Sequence, residues 1–218
     1  MYSLHRLRKK HLNTKYIILS PSEYVKLWLL DNLPPKAVLL TFDDGYNDNW
    51  MNAVPILEMN NASAVFFVCS SMLGKNGFWW DRLANIYRQT LNLPQDDFWS
   101  KIEQAPNIHH RQNILGLNSQ MEIILMINHY LRLTYSDQID EYLLVLEQLF
   151  DISTIGNEYN KLMTSASISR LADNSLFCIG AHSTKHICAA ILDSYANYED
   201  LVRDKSVLET TLKSEINY

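Results

Sequence analysis

The stretch Ala37-Val-Leu-Leu-Thr-Phe42-Asp43-Asp44-Gly45 decides the fold of this chain. Its first six residues are apolar or β-favouring and follow the breaking pair Pro34-Pro35, so they predict a buried strand that ends at the two carboxylates. Asn47 to Asn60 carries apolar residues near helical spacing, and it accommodates Pro55 only with a kink. Ala62 to Cys69 predicts a second buried strand.

This order of strand, helix and strand indicates a parallel sheet covered by helices, because both strands read as continuous apolar runs. Further along the chain, Gly74 to about Asn174 has a helical pattern, which we interpret as an insertion in the α/β domain and which contains a polar loop near Asn107 to Arg111. The strand pattern returns at Leu176-Phe-Cys-Ile179, and an amphipathic helix from roughly Tyr195 to Ile216 closes the sequence. The apolar stripes of the insertion are Ile123, Ile124, Ile127 and Leu131, and then Tyr142, Leu143, Leu146, Leu149 and Phe150.

The composition restricts the class of protein. With 218 residues, 47% hydrophobic and 20% charged, the chain suits one globular domain or one domain with an insertion. The net charge of -5 gives no electrostatic footprint for a nucleic-acid partner, and no apolar run approaches the length of a membrane span. The start lacks the pattern of an export signal, which predicts a cytoplasmic location. Three cysteines are an odd number, and we expect them to be reduced, buried thiols.

Candidate chemical groups follow two of the predicted strands. Asp43 and Asp44 come directly after the first strand, and His182 follows the strand that ends at Ile179. Because the carboxyl ends of parallel strands meet at one edge of a sheet, we expect these side chains to converge. Taken alone, the acidic pair fits a turn with helix-capping carboxylates equally well.

A second imidazole, His186, lies four positions after His182, and one helical turn would direct both rings to the same side. Two histidines and one carboxylate form a set that leaves positions open on a metal ion, as a hydrolytic site requires. In a chain with seven histidines such a pair can also arise by chance. Cys188 is near enough in sequence to be an additional ligand, although a buried thiol fits its apolar neighbours better.

The string Thr41-Phe42-Asp43-Asp44-Gly45, followed downstream by His182-Ser183-x-x-His186, resembles the first two motifs of the polysaccharide deacetylases, the NodB-homology or carbohydrate esterase family four. The resemblance implies an α/β fold of the partial (β/α) barrel type, formed by one domain over residues 1–218 with a helical insertion at 74–174. Further segments that fit the family are Pro35-Lys-Ala-Val-Leu-Leu, Ala62 to Val68, Leu162-Met-Thr and the region around Trp79-Trp80-Asp81.

The resemblance also implies roles for single residues. Asp44, His182 and His186 would hold a divalent metal, usually zinc or otherwise another divalent transition metal. Asp43 would be the general base, and Ser183 would brace the histidine loop through a hydrogen bond. The implied substrate is an N-acetylated polysaccharide or oligosaccharide, and the implied reaction hydrolyses the carbon–nitrogen bond of its acetamide groups.

The later motifs of the family, which supply the groove walls and a general-acid histidine, have no counterpart in this sequence. No proline follows Pro106 and no histidine follows His186, so we expect a domain that is truncated at its C-terminus. A catalytically silent relative that binds metal or glycan is therefore an alternative. An unrelated metallohydrolase such as a phosphoesterase is a weaker one, because the chain has no glycine-rich phosphate cradle and no arginine cluster. The polymer and the oligomeric state stay open.

Overall fold

A computed structural model describes residues 16–104, 119–134, 136–152 and 160–217 of the chain. The polar loop predicted near Asn107 to Arg111 lies outside these residues. In chain order the strands and helices are β1 (Ile17–Ile18), α1 (Pro21–Leu29), β2 (Ala37–Val38), β3 (Thr41–Phe42), α2 (Val54–Met59), β4 (Ala64–Val68), α3 (Trp79–Thr90), α4 (Gln95–Ile102), α5 (Gln120–Arg132), α6 (Ser136–Leu149), α7 (Ser165–Ala172), β5 (Phe177–Ala181) and α8 (Ser194–Leu212).

The central sheet has the strand order β3-β4-β5, and both of its strand pairs are parallel. Its register places Phe42 beside Phe66, and Phe66 beside Ile179. The α/β fold class predicted from the sequence is confirmed. The single strand predicted from Ala37 to Phe42 is wrong in one respect: its first part, β2, pairs with β1 in a separate two-stranded sheet, and only β3 joins the central one.

The helix predicted over Asn47 to Asn60 begins as a π-helical turn at Asn49–Ala53 and continues as α2. Pro55 explains the change, because it has no N–H with which to donate to the carbonyl four residues back. It lies in the first turn of α2, where that donor is not needed. The N–H of Val54 donates to the carbonyl of Asn49, five residues back, so the predicted kink takes the form of a π turn.

The chain divides into two compact units. The first unit takes in residues 1–74, 161–186 and 200–218 and contains the central sheet. Its apolar core is formed by inward-facing residues of β4 and β5 together with buried residues of the helices on the sheet. Burial of each large side chain contributes about 1.5–3 kcal/mol, so this core fixes the strand ends that carry the candidate site. The core residues include Val54, Leu57, Ala64, Phe66, Val68, Ile168, Phe177, Ile179 and Leu208.

The second unit, residues 75–160 and 187–199, has an apolar core of its own, built by α3, α4, α5 and α6. The first predicted stripe is confirmed, since all four of its residues are buried; of the second stripe, Leu143 and Leu146 are buried and the other three are partly buried against the core. Helix α7, which falls inside the predicted insertion 74–174, lies in the first unit. The limits of the insertion stay a prediction.

Two expectations from the composition concern membrane spans and the burial of the cysteines. None of the helices in the described ranges is long and apolar enough to cross a membrane. All three cysteines are free. Cys69 is buried, as expected, but Cys178 is only half-buried and Cys188 is exposed, so the prediction of three buried thiols is confirmed for Cys69 alone. Cys188 precedes a 3₁₀ turn, Ala189–Ile191, that buries none of its residues.

Candidate metal centre

The turn after β3 places Asp44 in an unusual backbone conformation. Its φ is +73°, in the left-handed region that residues with a side chain seldom adopt, and the N–H of Gly45 donates to the carbonyl of Asp43 at 2.9 Å. The turn is held from outside by a neighbouring segment: the N–H of Met163 donates to the Gly45 carbonyl, and that of Asn47 donates to the Lys161 carbonyl, both at 2.8 Å. Such a conformation persists where the surroundings impose it, as they do here.

The histidine pair lies on a loop after β5, so the helical turn predicted for it is wrong. Ser183 has φ +70° and His186 has φ +57°, and neither value is compatible with a right-handed helix. The N–H of His186 donates to the hydroxyl oxygen of Ser183 at 3.0 Å. The structure thus shows Ser183 bracing the loop through a hydrogen bond, as the resemblance implied.

The two loops bring Asp44, His182 and His186 together. Oδ1 of Asp44 lies 3.4 Å from Nε2 of His182 and 3.1 Å from Nε2 of His186. One ligand atom of each residue lies within 4.8 Å of the others. Ligands bound at 2.0–2.1 Å to a tetrahedral zinc ion are separated from one another by about 3.3 Å, so the observed spacing fits a shared ion. The donor set of one carboxylate and two imidazoles also fits a divalent transition metal.

The charges of the three groups support one another. Hydrogen bonds from His182 and His186 hold the pKa of Asp44 well below its usual range, against the opposing effect of burial. The same hydrogen bond with Asp44 raises the pKa of His186, and the charge of Asp43 adds to this effect. Asp44 is therefore an anion that faces two proton-bearing rings. A cation that displaced those protons would meet a preformed set of ligands.

Asp43 differs from its neighbour in exposure. Its side chain is exposed, and it does not belong to the cluster formed by Asp44, His182 and His186. Its charge reaches the site, because it contributes to the raised pKa of His186. Asp43 thus lies beside the candidate metal centre with its carboxylate open to solvent, and its role as a general base stays a prediction.

The structure adds two residues that the sequence reasoning missed. Asp204, on α8, accepts hydrogen bonds from the N–H of Ser70 and the N–H of His182, both at 2.8 Å. Asp200, one turn earlier, accepts from the N–H of Thr184 at 3.2 Å and from the hydroxyl of the same residue. A signal was present in the sequence, since the four-residue spacing that places both aspartates on one helix face continues to the apolar positions Leu208 and Leu212.

Comparison with known proteins finds a partial match to one family. Residues 31–120 match the sequence profile of the polysaccharide deacetylase family. The chain is also 38% identical over 60 residues to YxkH of Bacillus subtilis (strain 168), a protein named for the same family. That alignment covers 27% of this chain and 22% of YxkH. The profile match includes β3 and the acidic pair, whereas His182 and His186 lie outside it.

Solved structures of deacetylases resemble the chain at low similarity. The Streptococcus pyogenes deacetylase PplD, solved in complex with acetate, has a TM-score of 0.48 at 14% identity, with 92% of this chain and 53% of PplD covered. A de-N-acetylase from Aggregatibacter actinomycetemcomitans has a TM-score of 0.45 at 16% identity, with 92% of this chain and 60% of that protein covered. The chain thus spans little more than half of the length of these proteins. Because both TM-scores are below 0.5, we draw no conclusion about the chain from these two structures. The sequence match is thus to the polysaccharide deacetylase family over residues 31–120, which is less than half of the chain.

Proposed function

We propose that this chain supplies the metal-binding part of a deacetylase site that hydrolyses N-acetyl groups of a polysaccharide. The observation that carries the proposal is the position of Asp44, whose carboxylate oxygen lies 3.1–3.4 Å from an imidazole nitrogen of His182 and of His186. These ligands come from two loops that follow parallel strands, and the acidic loop lies in the segment that matches the family profile.

Asp44, His182 and His186 would hold the metal, for which zinc is our proposal. When bound at such a site, zinc supplies a water whose pKa is lowered toward about 7 and a positive charge that polarises a carbonyl oxygen. Three protein ligands leave room for water and substrate, whereas a structural zinc site has four. The part of this chain is to present the three ligand atoms at the required spacing.

Asp43 would accept the proton of the attacking water as the general base. Its carboxylate is exposed and follows directly on β3, so a water beside Asp44 and an incoming acetamide could both reach it. The division of work between the two aspartates follows from their surroundings: Asp44 is engaged by two imidazoles, while the oxygens of Asp43 remain open to solvent.

A second candidate is a silent relative that binds metal or glycan without turnover, because three converging ligands support metal binding and do not by themselves establish turnover. The two candidates share the metal centre and differ only in turnover. They can therefore be separated in one set of measurements on the same protein.

The test is zinc titration by calorimetry on wild type, Asp44→Ala and His182→Ala, with acetate release from an acetylated chitooligosaccharide measured in parallel. His129→Ala is the matched control, because His129 is an exposed histidine outside the cluster. Binding to wild type and the control, with a loss of at least 100-fold in both site variants, supports the metal centre. Equal binding by all four proteins would refute it.

The acetate measurement then decides between the two candidates. Acetate release by wild type that is abolished in Asp43→Asn, while that variant still binds zinc, supports the deacetylase with Asp43 as general base. Tight zinc binding without acetate release from any of the proteins favours the silent relative. Acetate release that Asp43→Asn leaves unchanged would refute the role of Asp43.

A further inference from the structure

The carboxylate of Asp204 is an unusual group to find buried. Asp204 is 0% exposed. Among the described residues, Glu147 is the one other acidic residue that is buried. Glu147 has a cation beside it, because Arg82 donates to both of its oxygens at 2.8 Å. Asp204 has no ion pair among the described residues, and its two oxygens are bound by backbone N–H groups. Burial of a charge without a cation is expensive, so a stability role alone explains this residue poorly.

The two N–H groups belong to the ends of adjacent strands. Ser70 begins the 3₁₀ turn Ser70–Met72 after β4, and His182 is the first residue after β5. One carboxylate therefore joins the carboxyl ends of both strands, at the point where the first imidazole ligand leaves the sheet. The thiol of Cys69 adds a weak bond to the His182 carbonyl at 3.2 Å, and the N–H of Ser71 donates to the Thr184 carbonyl at 3.1 Å.

Asp200 acts on the next part of the same loop. It binds both the N–H and the hydroxyl of Thr184, which is buried and lies between the two histidines. Asp200 and Asp204 are four residues apart on α8, so one face of the helix presents both carboxylates to the loop. Left-handed residues at Ser183 and His186 make this loop one whose shape requires support from outside.

We propose that Asp204, assisted by Asp200, is a positioning residue that holds loop 182–186 in the shape which brings both imidazoles to Asp44. The inference deepens the proposed function and rests on it for the purpose of the loop. Neither aspartate touches the imidazole rings in the contacts described above. They act through the backbone, and the carboxylate is required because it is a group with two acceptor oxygens and no donor.

Asp204→Asn tests this requirement with little change in shape. The amide retains one acceptor oxygen but turns an NH₂ group toward the second backbone N–H. If that group is the N–H of Ser70, it loses its Asp204 acceptor; if it is the N–H of His182, it keeps only the longer bond to the Val68 carbonyl at 3.2 Å. Leu208→Ala is the matched control: Leu208 is buried one turn later on the same helix, and its side chain belongs to the apolar core. The control weakens the first unit without removing an acceptor from the loop.

The first readout is amide hydrogen exchange in the metal-free protein, followed at residues 182–186 and compared with β4 amides. We expect Asp204→Asn to speed exchange in the loop at least 10-fold relative to β4, and Leu208→Ala to leave that ratio unchanged. Asp200→Asn, which affects only the Thr184 bonds, should speed exchange at Thr184 more than at His182. Equal ratios in wild type and Asp204→Asn would overturn the proposal, whether or not zinc binds.

The second readout is metal binding, measured by competition titration with zinc and by the visible absorption of bound Co²⁺. We expect Asp204→Asn to weaken zinc binding about 10–100-fold and to shift the Co²⁺ spectrum, as loss of an outer hydrogen bond to a ligand typically does. Leu208→Ala should match wild type in both. Affinity within 2-fold of wild type and an unchanged spectrum in folded Asp204→Asn would overturn the proposal. If wild type itself fails to bind zinc, the proposed function falls, while the exchange ratio still decides the role of Asp204.

Discussion

Replacement of Gly45 by alanine tests how closely the turn that carries Asp44 is enclosed. Gly45 has φ +83°, and a Cβ atom at this position would lie 3.1 Å from Cγ1 and 3.3 Å from Cβ of Val68. Val68 is fully buried in β4, so it has little room to move. Two costs therefore arise in the variant, one from the backbone conformation and one from the contact.

Each cost can be given a magnitude. A left-handed conformation costs an alanine about 1–2 kcal/mol, of which the stiffer unfolded chain offsets roughly 0.4–1 kcal/mol. An additional methyl group in a packed core costs about 1–3 kcal/mol. Together they predict that Gly45→Ala lowers the free energy of unfolding by about 1–5 kcal/mol.

Gly74 offers a matched control. It has a similar φ of +73°, but a Cβ atom there would meet nothing within 4 Å. Gly74→Ala should therefore lose only the conformational part, about 1 kcal/mol. Val68→Ala in the Gly45→Ala background removes Cγ1 and should recover part of the loss, so the double variant should be more stable than the sum of the single changes predicts.

The assay is urea unfolding, with chelator present, of five proteins: wild type, Gly45→Ala, Gly74→Ala, Val68→Ala and the double variant. Equal m-values are required for comparison. Gly45→Ala should also weaken zinc binding, because its residue adjoins Asp44. A loss in Gly45→Ala no larger than that in Gly74→Ala would show that Val68 yields without cost. The claim of a tightly enclosed turn would then be wrong.

Three further changes probe the two units. In metal-free protein the pairing of Asp44 with His186 stabilises the fold at pH values above the unfolded aspartate pKa of about 3.9, and this contribution is lost as the pH rises through the raised pKa of His186. In urea unfolding, the free energy of unfolding of wild type should therefore exceed that of Asp44→Asn by up to about 1 kcal/mol near pH 5.5 and by less near pH 9. Ser183→Ala removes the acceptor for the N–H of His186 and should weaken zinc binding about 10-fold in calorimetry; unchanged affinity would contradict the bracing role. Arg82→Met leaves Glu147 buried without its cation and should destabilise the second unit by about 3–5 kcal/mol in thermal unfolding, and a smaller loss than from Glu147→Gln would contradict this account.

The sequence predicted the parts of the fold that depend on local pattern. Continuous apolar runs predicted β4 and β5. Apolar residues at helical spacing predicted α5 and α8, because a helix that is buried on one side repeats its apolar residues every three to four positions. It did not predict that the first run divides into β2 and β3, since the division depends on which strand lies beside each half and not on the residues of the run.

The sequence predicted which residues form the candidate site, but it did not predict the shape of the loop that carries the histidines. Residue types and strand ends indicated Asp44, His182 and His186, and the structure brings these three together. The loop shape escaped prediction because left-handed residues such as Ser183 give no compositional signal when they are not glycine. Asp204 was missed because an aspartate within an amphipathic helix usually faces solvent, and its spacing to Leu208 and Leu212, which places it on the apolar face, was not used.

The separation of β4 and β5 along the chain also orders events during folding. Cys69 and His182 are 113 positions apart, and the second unit occupies most of the intervening sequence with a core of its own. Closure of a longer loop costs only about 0.6 kcal/mol for each doubling of its length, so the inserted helices take little from the final stability of the sheet. The intervening helices slow the formation of the sheet, because strand pairs that are distant in sequence form slowly. On a ribosome the three proposed ligands are not all present until residue 186 emerges, and the proposed support of the loop requires α8 as well. We therefore expect metal capture to follow the synthesis of both β5 and α8.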